Sequence, residues 1–191
     1  MPRSILFLTL LIGIIAAASL ASRPETATAY QRLNAAPVQT RPAPAWSNQS
    51  WLNTPSPIRL SDLKGKVVML NFWVYTCYNC TNTVPSLVHF HRTYRSQGLV
   101  LIGIHTPEFP PYSGEHDKAN VARALKQYGI EYPNAQDNDS KTWNLYGIRF
   151  WPSFVLIDKK GRIRYEGAGE FHLNDANYAK WDQRIRELLA E

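Results

Sequence analysis

The run "KVVMLNFWV" (Lys66 to Val74) is apolar apart from Lys66 and Asn71, and it follows the turn-prone "LKGK". A strand with one wet face alternates polar and apolar residues, whereas a strand covered on both faces reads as a nearly unbroken apolar run. The segment is therefore predicted to be a central strand, and a central strand demands layers on either side of its sheet. The rest of the chain supplies them. From Cys77 the period changes: Val84, Leu87, Val88 and His91 recur at helical spacing, Pro85 falls inside this helix and is expected to kink it, and Gly98 stops it. "LVLIGIH" (Leu99 to His105) reads as the next buried strand, and Val121, Ala124, Leu125 and Tyr128 line one face of a helix ending at Gly129. Strand, helix, strand, helix implies parallel pairing through right-handed crossovers. A short helix over Ser140 to Gly147 follows, then a hairpin made by "SFVLI" and "RIRYEG" around "DKKG". An amphipathic helix from about Asn174 to Leu189 closes the order.

The two cysteines, Cys77 and Cys80, stand directly between the first strand and its helix. A helix N-terminus offers unpaired N–H groups and a positive dipole end, which stabilise a thiolate at Cys77. Cys80 lies one turn on, where its sulfur reaches Cys77 without unfolding. The pair can therefore exchange disulfides, with Cys77 attacking and Cys80 resolving the mixed disulfide. A purely structural bridge across so short a loop constrains little chain entropy. Structural zinc asks for four N or S ligands, and a second such pair is missing from the sequence. A copper carrier built from both thiolates and His105 is an alternative, since soft thiolates suit Cu(I).

"MPRSILFLTLLIGIIAAASLAS" begins with a cation, continues through an apolar run and ends in small residues, the pattern of an export signal. Residues 1–29 are expected to be either a cleaved signal peptide or, because the apolar stretch approaches a membrane-spanning length, an uncleaved anchor. Both place the domain outside the cytoplasm, in the periplasm or its equivalent. Residues 30–45, rich in Ala, Pro, Thr and Gln, read as a flexible linker, and 46–191 as one domain. The chain carries a formal charge of +6, but its cations are scattered, so no nucleic-acid partner is expected.

"WLNTPSPIRLSDLKGKVVMLNFWVYTCYNC", the proline five residues after Cys80, and "FWPSFVLIDKKGRIRY" together resemble the thioredoxin-like superfamily. Among its members the chain is most similar to the exported TlpA/ResA-type thiol-disulfide oxidoreductases and the soluble domain of DipZ-type proteins, with "GIHTPEF" and "AQDNDSKTWNLYG" adding to the DipZ-type match. The resemblance implies an α/β thioredoxin-like fold: a central mixed sheet flanked by helices, with an N-terminal strand extension and an insertion before the later helix. It implies that Cys77 is the nucleophile, Cys80 the resolving thiol, and Pro152 the proline that follows a cis peptide bond and faces them. Trp151 then presents its backbone to an extended partner segment. Trp73 is expected to share core packing with partner binding, and Phe72 to pack in the core. No cofactor and no metal is expected. The implied partners are proteins bearing disulfides or thiols, with a membrane electron donor and, through residues 1–29, a possible membrane tether.

The chain departs from these families where it matters for proton transfer. Thioredoxins usually place a buried aspartate where Asn71 stands, and many TlpA/ResA relatives a glutamate where Thr83 stands. The Cys80 proton then goes either to water or to another group, for which Glu108, in "HTPEF" after a strand, is the candidate, its alternative reading being a solvated loop acid. His105 reads as an ordinary strand-end histidine, and His89, His91, His116 and His172 carry no motif spacing. A peroxiredoxin-like peroxidase is the other alternative, but such enzymes place Thr or Ser three residues before the reactive cysteine, where this chain has Val74.

Overall fold

The computed structural model describes residues 40–191. Residues 1–29 and most of the expected linker lie outside the described residues. In chain order the elements are β1 (Arg41–Pro42), β2 (Trp51–Leu52), β3 (Val67–Trp73), α1 (Tyr78–Tyr94), β4 (Leu99–His105), α2 (Lys118–Gln127), β5 (Asn134–Gln136), α3 (Lys141–Leu145), β6 (Ser153–Ile157), β7 (Arg162–Ala168) and α4 (Ala176–Ala190). Among the described residues the strands form one mixed sheet in the order β1-β7-β6-β3-β4-β5-β2.

The apolar run of β3 lies at the centre, as its composition requires. It pairs parallel with β4, Asn71 opposite Gly103 and Trp73 opposite His105, and antiparallel with β6, Asn71 opposite Phe154. Every residue of β3 is buried. Because side chains alternate across a strand, Val67, Met69 and Trp73 enter one core cluster with Val84, Leu87 and Phe90 of α1 and Trp181 and Ile185 of α4. Val68, Leu70 and Phe72 enter the opposite one with Trp46, Trp51 and Tyr146. Asn71 shares the face of Met69 and Trp73, the face that α1 covers. Each large apolar side chain so buried contributes about 1.5–3 kcal/mol. The strand that delivers Cys77 is thus gripped from both sides.

Two expectations are revised. The linker ends earlier than residue 45, because Arg41 and Pro42 pair with β7, Arg41 bonds Glu166 at 2.5 Å, and the Pro44 carbonyl accepts the Tyr146 hydroxyl at 2.7 Å. The edge ladder and these polar contacts outweigh a proline-rich composition. Pro85 lies within α1, where the sequence places it, on the exposed side of the helix. The closing helix starts at Ala176 because Asp175 caps it, accepting the Tyr178 amide at 2.6 Å.

Candidate functional site

The dithiol is built where β3 ends and α1 begins. A turn brings the Cys77 amide to the Val74 carbonyl at 3.2 Å, and Cys77 then serves as the N-cap of α1. Its Sγ accepts the Cys80 amide at 3.3 Å, one of the donors that a helix N-terminus leaves unpaired. Both cysteines are free thiols. Cys77 is half-buried and Cys80 buried, and Tyr78 between them is 76% exposed.

This geometry separates the two thiols electrically. A hydrogen bond from the Cys80 thiol, together with the amides of Cys80 and Asn79, brings the Cys77 pKa down to about 7 against burial and the Glu108 charge. Burial drives Cys80 the other way, far above the ordinary thiol range, and the hydrogen bond it donates and the charges of Cys77 and Glu108 push it further. Cys77 is therefore available as a thiolate at neutral pH, while Cys80 holds its proton.

Beneath the pair the face shared by Asn71 also holds Tyr132, a fully buried phenol whose pKa is raised by burial and by the nearby Cys80. Trp73 is 0% exposed, and its indole N–H donates to Asn134 Oδ1 at 3.0 Å. The expected share in partner binding is thereby corrected: nothing of Trp73 reaches the surface, because Asn134 satisfies its one polar atom inside the core. Asn134 in turn donates to the Tyr132 carbonyl at 2.9 Å. Phe72 packs in the opposite cluster against Tyr146.

The Trp151–Pro152 peptide bond is cis, at the entry to β6. Trp151 is partly exposed, lies 4.1 Å from Trp143 between ring centroids, and donates its indole N–H to the Thr106 carbonyl at 3.1 Å. The Thr106 amide donates to the Trp73 carbonyl at 3.0 Å. The ends of β3 and β4 and the Trp151 loop are thus tied at the end of the sheet where the dithiol stands.

Glu108 lies exposed in the loop after β4, within electrostatic reach of both thiols. His105 is buried between rings, stacked on Tyr75 at 5.5 Å and edge-on to Trp73 at 5.4 Å; burial depresses its pKa to about 3, so it is a neutral packing group at physiological pH. Among the described residues no three His, Cys, Asp or Glu side chains are grouped to hold a metal ion. Sequence reasoning passed over Glu115. It is 0% exposed, and its carboxylate accepts the Thr76 hydroxyl on Oε1 and the amides of Glu108 and Phe109 on Oε2, each at 2.8 Å. Glu115 in "SGEHD" carries no spacing that marks it.

A model of the AhpC/TSA family matches residues 40–166. The protein DipZ of Mycobacterium tuberculosis (strain CDC 1551 / Oshkosh) is 42% identical over 141 residues, which make up 73% of this chain and 19% of DipZ. The thiol-disulfide oxidoreductase ResA of Bacillus subtilis (strain 168) is 31% identical over 106 residues, 56% of this chain and 55% of ResA. The chain thus spans about a fifth of the one relative and about half of the other. Among solved structures, a thioredoxin-like superfamily protein matches with a TM-score of 0.70 and 25% identity, covering 78% of this chain and 97% of that one. A thiol:disulfide interchange protein from Chlorobium tepidum TLS matches with a TM-score of 0.62 and 26% identity, covering 81% and 99%. The frame that carries the dithiol is a thioredoxin-like α/β fold.

Proposed function

Since the chain belongs to the AhpC/TSA family, we propose that it is an exported thiol-disulfide oxidoreductase that reduces protein disulfides through Cys77 and Cys80. The observation that carries this reading is the split between the thiols: Cys77 caps α1 and its pKa is drawn down to about 7 by the Cys80 hydrogen bonds, while Cys80, one turn away, is held protonated by burial. The Cys77 thiolate attacks one sulfur of a partner disulfide, and the other sulfur leaves as a thiolate that takes a proton from solvent. Cys80 then gives up its proton and attacks the Cys77 Sγ. The partner departs with both sulfurs as thiols, and Cys77 and Cys80 remain joined as a disulfide. Two electrons have passed to the partner, and a dithiol donor at the membrane returns them.

Asn71 cannot accept the Cys80 proton, so the base is assigned to Glu108, whose charge both thiols feel. The Trp151 backbone and Pro152 are assigned to hold the partner's extended segment beside the dithiol. The apolar run near the N-terminus supports export and, if uncleaved, a membrane tether. A role in reducing apocytochromes or metal-site assembly proteins, as in TlpA-like relatives, is the corresponding physiological assignment. Two features disfavour the alternatives. Position 74 holds a buried valine with no hydroxyl for a peroxidase, and His105 is not grouped with the thiols as a copper carrier needs.

The test is a trapping experiment. Cys80→Ser keeps the attacking thiolate and removes the resolving one, so a protein disulfide substrate is expected to accumulate as a mixed disulfide on Cys77. Accumulation on Cys77→Ser instead would reverse the roles, and turnover unaffected by either substitution would end the proposal.

A further inference from the structure

Resting on the reading that Cys77 and Cys80 exchange disulfides, we infer that Glu115 is a positioning residue: its carboxylate clamps the loop carrying Glu108 onto the turn that delivers Cys77, and so fixes the charge that the dithiol feels. The donors define the role. Thr76, the residue before Cys77, bonds one carboxylate oxygen, and the amides of Glu108 and Phe109 bond the other. One side chain thus joins the two segments that run on past the paired ends of β3 and β4, both at the rim of the site.

Glu115 is itself held in place from behind. Gly114 stands at φ 85, a conformation that favours glycine, and its carbonyl accepts the Asn120 side chain of α2 at 2.9 Å. A Cβ at position 114 would stand 2.7 Å from Asn120 Nδ2, so the backbone approaches α2 as closely as a glycine allows. Burying a carboxylate carries a desolvation penalty, offset here by three charge-assisted hydrogen bonds. An apolar side chain of the same size would leave the Thr76 hydroxyl and the two loop amides without this acceptor. What a carboxylate adds is direction: it fixes two consecutive loop amides and a hydroxyl in one geometry.

The groups that act on the thiols are few. Cys77 feels Cys80 and Glu108; Cys80 feels Cys77 and Glu108 and faces the neutral Tyr132. Glu108 is exposed and sits in a loop of prolines and a half-exposed Phe109. Without the clamp its carboxylate samples solvent away from the dithiol, and its mean repulsion of the Cys77 thiolate falls.

The experiment is the pH dependence of Cys77 alkylation by iodoacetamide in the reduced full chain, which reads the thiolate whether or not the protein turns over a substrate. Glu108→Gln is expected to move the midpoint down by roughly half a pH unit, the size of one charge acting through a wet interface. Glu115→Gln is expected to move it in the same direction in the wild-type background and to add less than about 0.1 pH unit in the Glu108→Gln background, because it acts through Glu108. Thr76→Val, which keeps the Glu115 charge but removes a donor, is expected to reproduce the shift, and Thr76→Ser to restore the wild-type midpoint. Additive shifts from Glu115→Gln and Glu108→Gln, or an unmoved midpoint in both Glu115→Gln and Thr76→Val, would overturn the clamp. Neither result depends on the trapping experiment, so failure of the clamp and failure of the oxidoreductase reading are told apart.

Discussion

A methyl group at Gly103 is expected to be among the most damaging single-atom additions to this fold. Gly103 faces Asn71 across the β3–β4 ladder, and a Cβ there would lie 1.9 Å from Asn134 Oδ1, 2.7 Å from Asn134 Cγ and 3.0 Å from Trp73 Nε1. Real Cβ contacts do not come that close, so Asn134 must rotate out. Rotation breaks the 3.0 Å bond from the Trp73 indole and leaves a buried N–H without its acceptor. That loss costs about 1–3 kcal/mol, and forcing a methyl into a packed site about 1–3 kcal/mol more. Gly103→Ala should therefore lose about 2–6 kcal/mol in urea unfolding of the reduced protein. In a domain of this size that lowers the melting temperature by roughly 4–24 °C. Asn134→Ala removes the obstacle, so the double variant Gly103→Ala, Asn134→Ala should lose less than the sum of the two single losses. A Gly103→Ala protein within about 0.5 kcal/mol of wild type would refute the claim that this glycine is required by the Trp73–Asn134 contact.

Three further outcomes are expected. His105 is neutral in the folded chain down to about 3, whereas an unfolded histidine takes up a proton below about 6.5. Its contribution to stability is therefore complete above pH 6.5 and lost as pH falls toward 3. The unfolding free energy should drop by up to about 1.4 kcal/mol per pH unit in that window, and His105→Phe should flatten the difference. Asp137, buried, accepts the Thr142 and Trp143 amides at 2.9 and 2.8 Å and the side chains of Thr106 and Asn48 at 3.3 and 3.2 Å. Asp137→Ala orphans these donors and should cost about 3 kcal/mol or more in equilibrium unfolding. If Glu108 is the base for Cys80, Glu108→Gln should slow release of a preformed mixed disulfide about 10²-fold near pH 7 in stopped flow, with Asn71→Asp restoring part of the rate.

The parts of this molecule that are legible in the sequence are those whose composition answers to a single force. The unbroken apolar run of β3, the helical spacing after Cys77 and the run of β4 each state their burial directly, and the cysteine pair states its chemistry by standing at a helix start. What the sequence hides is set by tertiary pairing. Asn134 to Gln136 form a buried strand although two of the three residues are polar, because the side chains find partners at Trp73, Tyr132, Ser50 and His116. Arg41 and Pro42 join the sheet by supplying an edge to β7, which no propensity announces. The burial of the Trp73 indole is not written locally, because the acceptor that satisfies its N–H, Asn134, lies 61 residues away. Glu115 stayed invisible for the same reason: its meaning lies in donors contributed by Thr76 and the Glu108 loop, and a lone carboxylate signals neither.

The central claim is that Cys77 is the thiolate and Cys80 the reserve, and competitive alkylation of the reduced protein tests it most directly. With a Cys77 midpoint near pH 7, about half of it is ionised at neutral pH, against roughly 3% of an ordinary thiol. After the loss of nucleophilicity that accompanies a lower pKa, its reactivity should still exceed that of a free cysteine roughly three-fold. At pH 7 a limiting amount of iodoacetamide, followed by peptide mapping, should place the label on Cys77 at least about 10-fold over Cys80, with the Cys77 rate levelling off above pH 8. Equal labelling of the two thiols, or a Cys77 midpoint at the ordinary value near 8.5, would contradict the account.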